Sequence, residues 1–370
     1  MNRQQHSRVI ISGGGTGGHI FPAVSIANAL RRIDPGIEIL FVGADGRMEM
    51  EKVPAAGYDI AGLPVAGFNR KNIFRNIEVF IKLFKSLRLA KRILKDFKPD
   101  VVVGVGGYAS GPVLRQAQRL HIPTLIQEQN SYAGITNKLL AKKASVICVA
   151  YDGMQKYFPA SKIIKTGNPV RQNFDNLTAL KKEAFEFFSL NEKLPVILVL
   201  GGSLGAGSIN RGLSDNLPGV ESSGCQWIWQ TGKLYFEDIN ALVSVSATSN
   251  IRVKPFINRM DLAFAAADII ITRAGAGTIS ELCLVGKPVI LIPSPNVAED
   301  HQTKNALALT TRNAAVLLPD NKIVTHLVQE TMALVSDSRR KSELSENISK
   351  MVARNADIRI AEQVIKLINK

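Results

Sequence analysis

Cysteine is scarce in this chain. Its 370 residues include three, Cys148, Cys225 and Cys283. None has the spacing of a metal or redox pair, so all three read as small core residues of a reducing cytoplasm. Long apolar runs are also missing: no stretch approaches the roughly 20 residues that span a membrane. The basic start, MNRQQHSR, leads into a strand and a glycine loop rather than a signal-peptide apolar region. Aromatic residues make up 6%, and no helix-turn-helix or RNA-binding motif occurs, which speaks against nucleic acid. No Asp-x-Asp pair is present. A nucleotide diphosphate would therefore be held by helix N-termini and by Ser and Arg side chains, without a dedicated divalent cation.

Acidic residues are short in one half only. Residues 1–170 hold 24 Lys and Arg against 11 Asp and Glu, and the remainder 22 against 20. Nearly all of the net charge of +15 thus belongs to the N-terminal half, which points to an anionic partner there. Segment 68–98 is the source, with ten basic residues and two acids. Apolar residues recur through it at helical spacing: Ile73, Ile77, Phe80, Phe84, Leu87 and Leu94, with Phe74 and Ile81 beside them. Cations such as Lys82, Lys85 and Arg88 fill the positions between. This is the make-up of a helix lying in a membrane interface against anionic lipid. An ordinary helix packed on a sheet with a solvated basic face is the alternative.

What the sequence does have is one pattern spelled twice. Asp100 opens VVVGVGGYASGPV and then IPTLIQEQN; Asp268 opens IIITRAGAGTISEL and then KPVILIPSPN. Each copy runs from an Asp through a β-branched stretch into a glycine turn and a helical segment. A Pro (Pro123, Pro288), a second apolar strand and an Asn (Asn130, Asn296) follow. VIISGGGTGGH (9–19) likewise matches VILVLGGSLGAG (196–207). A repeat of this length implies two similar α/β domains facing each other across a cleft, with the active site in the cleft.

Periodicity predicts strands at 8–12, 37–42, 101–105, 123–127, 146–149, 196–200, 226–230, 268–272 and 288–292. Helices are predicted at 21–33, 72–96, 111–119, 134–142, 178–188, 208–216, 261–267, 277–285, 303–311 and 324–336. A polar helical pair at 338–353 and 357–369 ends the pattern. TGNPVR (166–171) reads as the linker.

Four glycine turns carry the chemistry. GGGTGGH (13–19) fits the dinucleotide spacing through Gly13, Gly15 and Gly18, an unspecific match by itself. GGYASGP (106–112), GGSLGAG (201–207) and RAGAGTISE (273–281) repeat the device of a strand, a glycine turn and a helix start, whose N–H groups can hold an anion. His19 stands where the first loop meets its helix and could act as a base or donor. Glu281, beyond the last turn, suits ribose hydroxyls.

GGGTGGHIFPA, VGGYASGP, QEQN, TGNPVR, GGSLGA, RAGAGTISEL and DHQTKNA, in this order and spacing, resemble the bacterial undecaprenyldiphospho-muramoylpentapeptide β-N-acetylglucosaminyltransferases of glycosyltransferase family 28. The resemblance runs from residue 9 to about 310. It implies a GT-B fold of two Rossmann-like domains with parallel sheets. Residues 1–168 would form the acceptor and membrane-facing domain, with a C-terminal helix at about 354–370 packing back on it. Residues 169–353 would bind UDP-GlcNAc. The implied reaction is inverting transfer of GlcNAc from UDP-GlcNAc to lipid I, giving lipid II and UDP, with no cofactor and no catalytic metal. The implied place is the cytoplasmic face of the cell membrane, with proteins of cell-wall synthesis and division as further partners.

Residue by residue, the resemblance puts Thr16, Gly17, Gly18 and His19 at the diphosphate and reacting groups, with Tyr108 and Glu128 nearby. His19 and Glu128 are the candidate bases. Asn130 would contact the transferred sugar, Arg171 and Ser203 the donor nucleotide, and Ile257 the uracil through its backbone. Ala276, Gly277 and Glu281 would frame the diphosphate and ribose, and Gln302 and Asn305 the sugar hydroxyls. Gln127 stands where many relatives carry His, and no role is assigned to it. Another GT-B nucleotide-sugar transferase acting on a lipid acceptor is the nearest rival, and two other classes remain open at this point. One is an NAD-dependent oxidoreductase using the first loop, with Asp45 on the ribose. The other is a non-catalytic membrane-surface scaffold.

Overall fold

Each copy of the repeated pattern builds its own parallel sheet. The computed structural model describes residues 6–15, 17–65, 76–170, 174, 176–202, 204–245 and 250–370, with 76–78 and 298 described by backbone alone. Thr16, Ile73, Phe74, Arg171 and Ser203 therefore lie outside the described residues. The chain divides into two compact units. The first is Met1–Val170 with Ala353–Lys370, and the second is Arg171–Val352.

The first unit contains β1 (Arg8–Ser12), β2 (Glu38–Ala44), β3 (Asp59–Leu63), β4 (Val101–Gly104), β5 (Thr124–Glu128), β6 (Val146–Val149) and β7 (Ile163–Lys165), in the sheet order β3-β2-β1-β4-β5-β6-β7. The second contains β8 (Val196–Leu200), β9 (Gln226–Gln230), β10 (Ile251–Lys254), β11 (Ile269–Thr272), β12 (Val289–Leu291) and β13 (Val316–Leu317), in the order β10-β9-β8-β11-β12-β13. Both follow the doubly wound order, in which the chain reverses beside its first strand. All pairings are parallel. Helices cover both faces, so the central strands can be apolar throughout.

The repeated Asp has a mechanical reason. Asp100 Oδ2 accepts the Arg8 N–H at 2.8 Å, and the Asp100 N–H donates back to the Arg8 carbonyl. Asp268 Oδ2 accepts the Val196 N–H at 2.8 Å, and the Asp268 N–H donates to the Val196 carbonyl. Each Asp thus locks the fourth strand of its unit to the first and fixes the register of the glycine turns at the other end. The repeated Pro also matches, since the carbonyls of Pro123 and Pro288 accept from Val102 and Ile270.

The nine expected strands are all present. The four not foreseen, β3, β7, β10 and β13, are the four sheet edges. Their sequences, DIAGL, IIK, IRVK and VL, are short or broken by polar residues. An edge strand faces a neighbour on one side only and needs no apolar run.

In the first unit the helices are α1 (Gly17–Ile33), α2 (Glu49–Ala55), α3 (Asn76–Phe97), α4 (Ser110–Arg119) and α5 (Ile135–Ala141). Ala90 and Leu94 of α3 share one core with Val113 and Leu114 of α4 and Leu140 of α5. Ile26 and Leu30 of α1 belong to the core on the other face. In the second unit they are α6 (Lys181–Phe187), α7 (Gly207–Ser214), α8 (Leu217–Glu221), α9 (Phe236–Ser244), α10 (Met260–Ala266), α11 (Ala276–Val285), α12 (His301–Thr310), α13 (Ile323–Ser336) and α14 (Ser338–Ser349). α2, α8 and α9 were not expected; α2 and α8 each carry a Pro, which masks a short helix in the sequence. α15 (Ala356–Ile368) belongs to the first unit. It is not polar all round: Ile360, Ala361, Val364 and Leu367 join the core beneath α1. Arg32 of α1 pairs with Asp357 at 2.5 Å.

α3 corrects the expected apolar stripe. Val79, Ser86, Ala90 and Leu94 face inward, and Ser86 Oγ donates to the Pro64 carbonyl. Phe80 and Phe84, about 100° further round, are 52% and 69% exposed, as is Ile81 in like measure. Lys85 and Arg88 are exposed and Lys82 half-buried. Leu94 therefore belongs to the core, while the two Phe rings do not. Among the described residues no helix is long and apolar enough to cross a membrane.

Candidate active site

In a doubly wound sheet the ligand site lies at the carboxyl ends of the strands, where the strand order reverses. In the first unit that point falls between β1 and β4. Loop 13–15 leads into α1, and loop 105–109 leads into α4. The two loops pack closely: a Cβ on Gly107 would lie 2.3 Å from the Gly14 carbonyl oxygen. His19, on the first turn of α1, lays its ring on Gly106, where a Cβ would sit 2.8 Å from both Cδ2 and Nε2. Tyr108 projects beside it, 61% exposed. β5 adds the next loop. Gly17, Gly18, His19, Tyr108, Glu128 and Asn130 thus all stand at the carboxyl ends of three neighbouring strands.

Glu128 is organised inward. It is 2% exposed. Oε1 accepts from the Asn130 N–H at 3.0 Å and Asn130 Nδ2 at 3.3 Å. Oε2 accepts from the Gly134 N–H at 3.0 Å and Asn137 Nδ2 at 2.8 Å. Burial raises its pKa, and these donors oppose the rise. Gln127 is also occupied: Nε2 donates to Asn168 Oδ1 at 2.9 Å, and Asn168 Nδ2 donates to the Gln129 carbonyl. It ties β5 to Asn168 in the TGNPVR segment, which is thus buried against the first sheet rather than a free linker at that residue.

The first glycine loop departs from a dinucleotide loop in one respect. Its Gly15 N–H donates to the buried carboxylate of Glu49, 3.0 Å from each oxygen. The group a pyrophosphate would meet is already bonded to the protein.

In the second unit the reversal falls between β8 and β11. α7 starts after the first and α11 after the second. The first-turn N–H groups of α11, from Ala276 and Gly277, have no intrahelical acceptors and point out of the helix end. A Cβ at Gly277 would meet no described atom within 4 Å. Glu281 follows in the second turn of α11, half-buried. Ile257 is buried, and its N–H donates to Gln230 Oε1 at 2.9 Å. The Gln230 amide Nε2 donates to the Gly202 carbonyl at 3.1 Å. One buried side chain thereby joins the glycine turn after β8 to the Ile257 segment.

Arg273 follows β11 directly and gathers the neighbouring loops. It donates to the Ile292 and Pro293 carbonyls, to Ser208 Oγ at 2.6 Å and to Asp320 at 2.5 Å. Asn305 is fully buried, and its Nδ2 donates to the Ala274 carbonyl at 3.4 Å. Gln302 Oε1 accepts the Ser294 N–H at 2.8 Å. Both residues hold the loops around the head of α11.

Residues 9–149 match the N-terminal domain of glycosyltransferase family 28, and residues 196–364 match its C-terminal domain. A protein of Parabacteroides distasonis is 55% identical over 363 residues, covering 98% of this chain and 99% of its own. It is named UDP-N-acetylglucosamine--N-acetylmuramyl-(pentapeptide) pyrophosphoryl-undecaprenol N-acetylglucosamine transferase. The chain belongs to glycosyltransferase family 28.

A protein of the same name from Phocaeicola vulgatus is 56% identical over 368 residues, 99% of this chain and 98% of its own. Among solved structures, Acinetobacter baumannii MurG superposes with a TM-score of 0.79 at 29% identity, covering 97% of this chain and 99% of that one. A UDP-GlcNAc 2-epimerase from Neisseria meningitidis, bound to UDP-GlcNAc, shares the fold alone, with a TM-score of 0.67 at 15% identity and 97% and 100% coverage. This family 28 chain is a glycosyltransferase of GT-B architecture with two Rossmann-like domains.

Sequence reading missed Glu49 and Gln230. Glu49 sits in an unforeseen helix after an unremarkable loop, so nothing nearby signalled it. Gln230 carried one signal, a polar residue ending the apolar strand QWIWQ.

Proposed function

We infer that this enzyme transfers GlcNAc from UDP-GlcNAc to the 4-hydroxyl of the muramoyl-pentapeptide-diphospho-undecaprenol acceptor, inverting the anomeric centre and releasing UDP. One observation carries the reading. Over nearly its full length the chain is 55–56% identical to proteins named for that transfer.

The donor belongs to the second unit. The free N–H groups at the head of α11 suit a diphosphate, and Glu281 suits the ribose hydroxyls. The Ile257 segment, held by Gln230, suits the uracil. As the sugar departs, negative charge builds on the UDP, and the α11 dipole stabilises it. The acceptor belongs to the first unit. Of the two candidate bases His19 is the better placed, because Glu128 spends both oxygens on four N–H donors. His19 takes the proton of the attacking hydroxyl.

The acceptor is lipid-linked, and α3 supplies the means to reach it. The exposed Phe80, Ile81 and Phe84 enter the headgroup boundary, while Lys85, Arg88 and the flanking cations meet anionic lipid. The enzyme works peripherally on the cytoplasmic face of the membrane.

The test is UDP release, measured with UDP-GlcNAc alone and with a short-chain acceptor analogue, with mass spectrometry of the acceptor. Release that requires the acceptor, together with one added N-acetylhexosamine on it, is the expected result. UDP release indifferent to the acceptor overturns the reading. Glu281→Ala is expected to raise the KM for UDP-GlcNAc roughly ten- to a hundredfold, the cost of one charge-assisted hydrogen bond, with an unchanged melting temperature.

A further inference from the structure

Glu49 opens α2 and points into the protein, 1% exposed. Its partners among the described residues are backbone N–H groups. Gly15 donates to both oxygens at 3.0 Å, and Ala44 donates to Oε1 at 3.0 Å. Two glycines make the seat. A Cβ on Gly14 would fall 2.1 Å from Oε1, and one on Gly43 would fall 2.6 Å from the Glu49 Cγ. The carboxylate therefore joins the loop after β1, the end of β2 and the start of α2. It lies against the loop backbone as a bound anion would lie in a nest of N–H groups.

The consequences run in one direction along the chain. Gly15 stands two residues before α1, and His19 is on the first turn of that helix. Gly14 is wedged against Gly107, and His19 rests on Gly106. A loop that slips at Gly14–Gly15 moves His19 and the Gly106–Gly107 turn together.

We propose that Glu49 is a positioning residue for the transfer reaction: its carboxylate occupies the first glycine loop in place of a bound anion and thereby holds His19 against Gly106. The proposal rests on the reading of the first unit as the acceptor half. Charge and length both matter. Glu49→Gln keeps the volume and one accepting oxygen but removes the charge and sets an amide NH2, itself a donor, against the Gly15 N–H in place of the other oxygen. Gly43→Ala leaves the carboxylate intact and displaces the stem that carries it.

Both variants are assayed for steady-state transfer, UDP affinity and hydrogen exchange over residues 12–20. Each is expected to lower kcat roughly ten- to a hundredfold, the cost of a charge-assisted hydrogen bond. The KM for UDP-GlcNAc and the Kd for UDP should stay within about twofold, because the donor groups lie in the other unit. Exchange over 12–20 should quicken while that of 196–210 does not. A general loss of stability would not give this split between kcat and KM. Parent-like kcat in either variant, or unchanged exchange over 12–20 in Glu49→Gln, overturns the proposal. If the parent itself transfers no sugar, the functional reading fails instead, and the exchange result still decides whether Glu49 holds the loop.

Discussion

The ammonium of Lys287 donates to the carbonyls of Ala265 and Ala267, which end α10. Burial is the main reason its pKa falls to about 8; Asp268 opposes the fall and Lys181 adds to it. In the unfolded chain the group titrates near 10.5. Between about pH 8 and 10.5 the unfolded chain binds more protons, so stability rises with pH across that window. Lys287→Met should abolish this contribution. The difference in unfolding free energy between parent and variant, measured by urea titration at pH 7.5 and 9.5, should move in favour of the parent at the higher pH. A pH-independent difference would contradict the assignment. The catalytic candidates were legible because a residue that ends a glycine turn is carried to the sheet reversal wherever the turn goes. His19, Tyr108 and Glu281 are of this kind. Glu128 is harder to read, since its position says nothing of where its oxygens point. The donors that occupy them, Asn130, Gly134 and Asn137, lie within nine residues and only the folded loop brings them together.

Among the elements, α3 has two different sides. Its buried side follows the helical period from Val79 to Leu94, while Phe80, Ile81 and Phe84 stand clear of the core. Replacing Phe80 and Phe84 with Ser should therefore leave the melting temperature near that of the parent. It should weaken sedimentation with anionic vesicles at low and high salt alike, because burial of apolar surface is not screened. Replacing Lys82, Lys85 and Arg88 with Gln should weaken it chiefly at low salt. Each cation near the surface contributes about 1 kcal/mol, and the Debye length at 0.1 M salt is about 10 Å. Undiminished binding of the charge variant at low salt would refute docking through α3. Periodicity located this helix but set its exposed rings, Phe80 and Phe84, on one stripe with the buried Leu94. It could not say which apolar residues turn inward, because the stripe is wider than one sheet contact uses. The same limit hid the four edge strands, whose sequences carry little apolar signal.

For the whole molecule, the spelled repeat becomes two sheets with the same strand order, each reversing beside its first strand. That much could be read from the two Asp-to-Asn patterns, since an Asp, a β-branched run and a glycine turn dictate a strand and its exit. Where α15 would pack was an expectation of family resemblance, not of pattern. Its contribution is testable because both tryptophans, Trp227 and Trp229, lie in β9 of the second unit. Ile360→Ala removes a fully buried side chain from the first unit and should cost about 2–5 kcal/mol. Urea unfolding followed by far-ultraviolet circular dichroism should begin earlier, while the tryptophan signal keeps its midpoint. A matching shift in both signals would show that the units unfold as one.

The place of α15 also bears on how the chain is made. β7 leaves the ribosome about 190 residues before α15, which begins at Ala356. At roughly 5–20 residues per second, that is a wait of roughly 10–40 s. Throughout it, the first sheet is finished while the core on the α1 face still lacks Ile360, Ala361, Val364 and Leu367. A nascent chain in this condition presents an apolar furrow to solvent for as long as the second unit takes to be synthesised. Holding chaperones would find their footing there, and a stalled ribosome would leave behind a half-protein that is nearly folded and prone to aggregate.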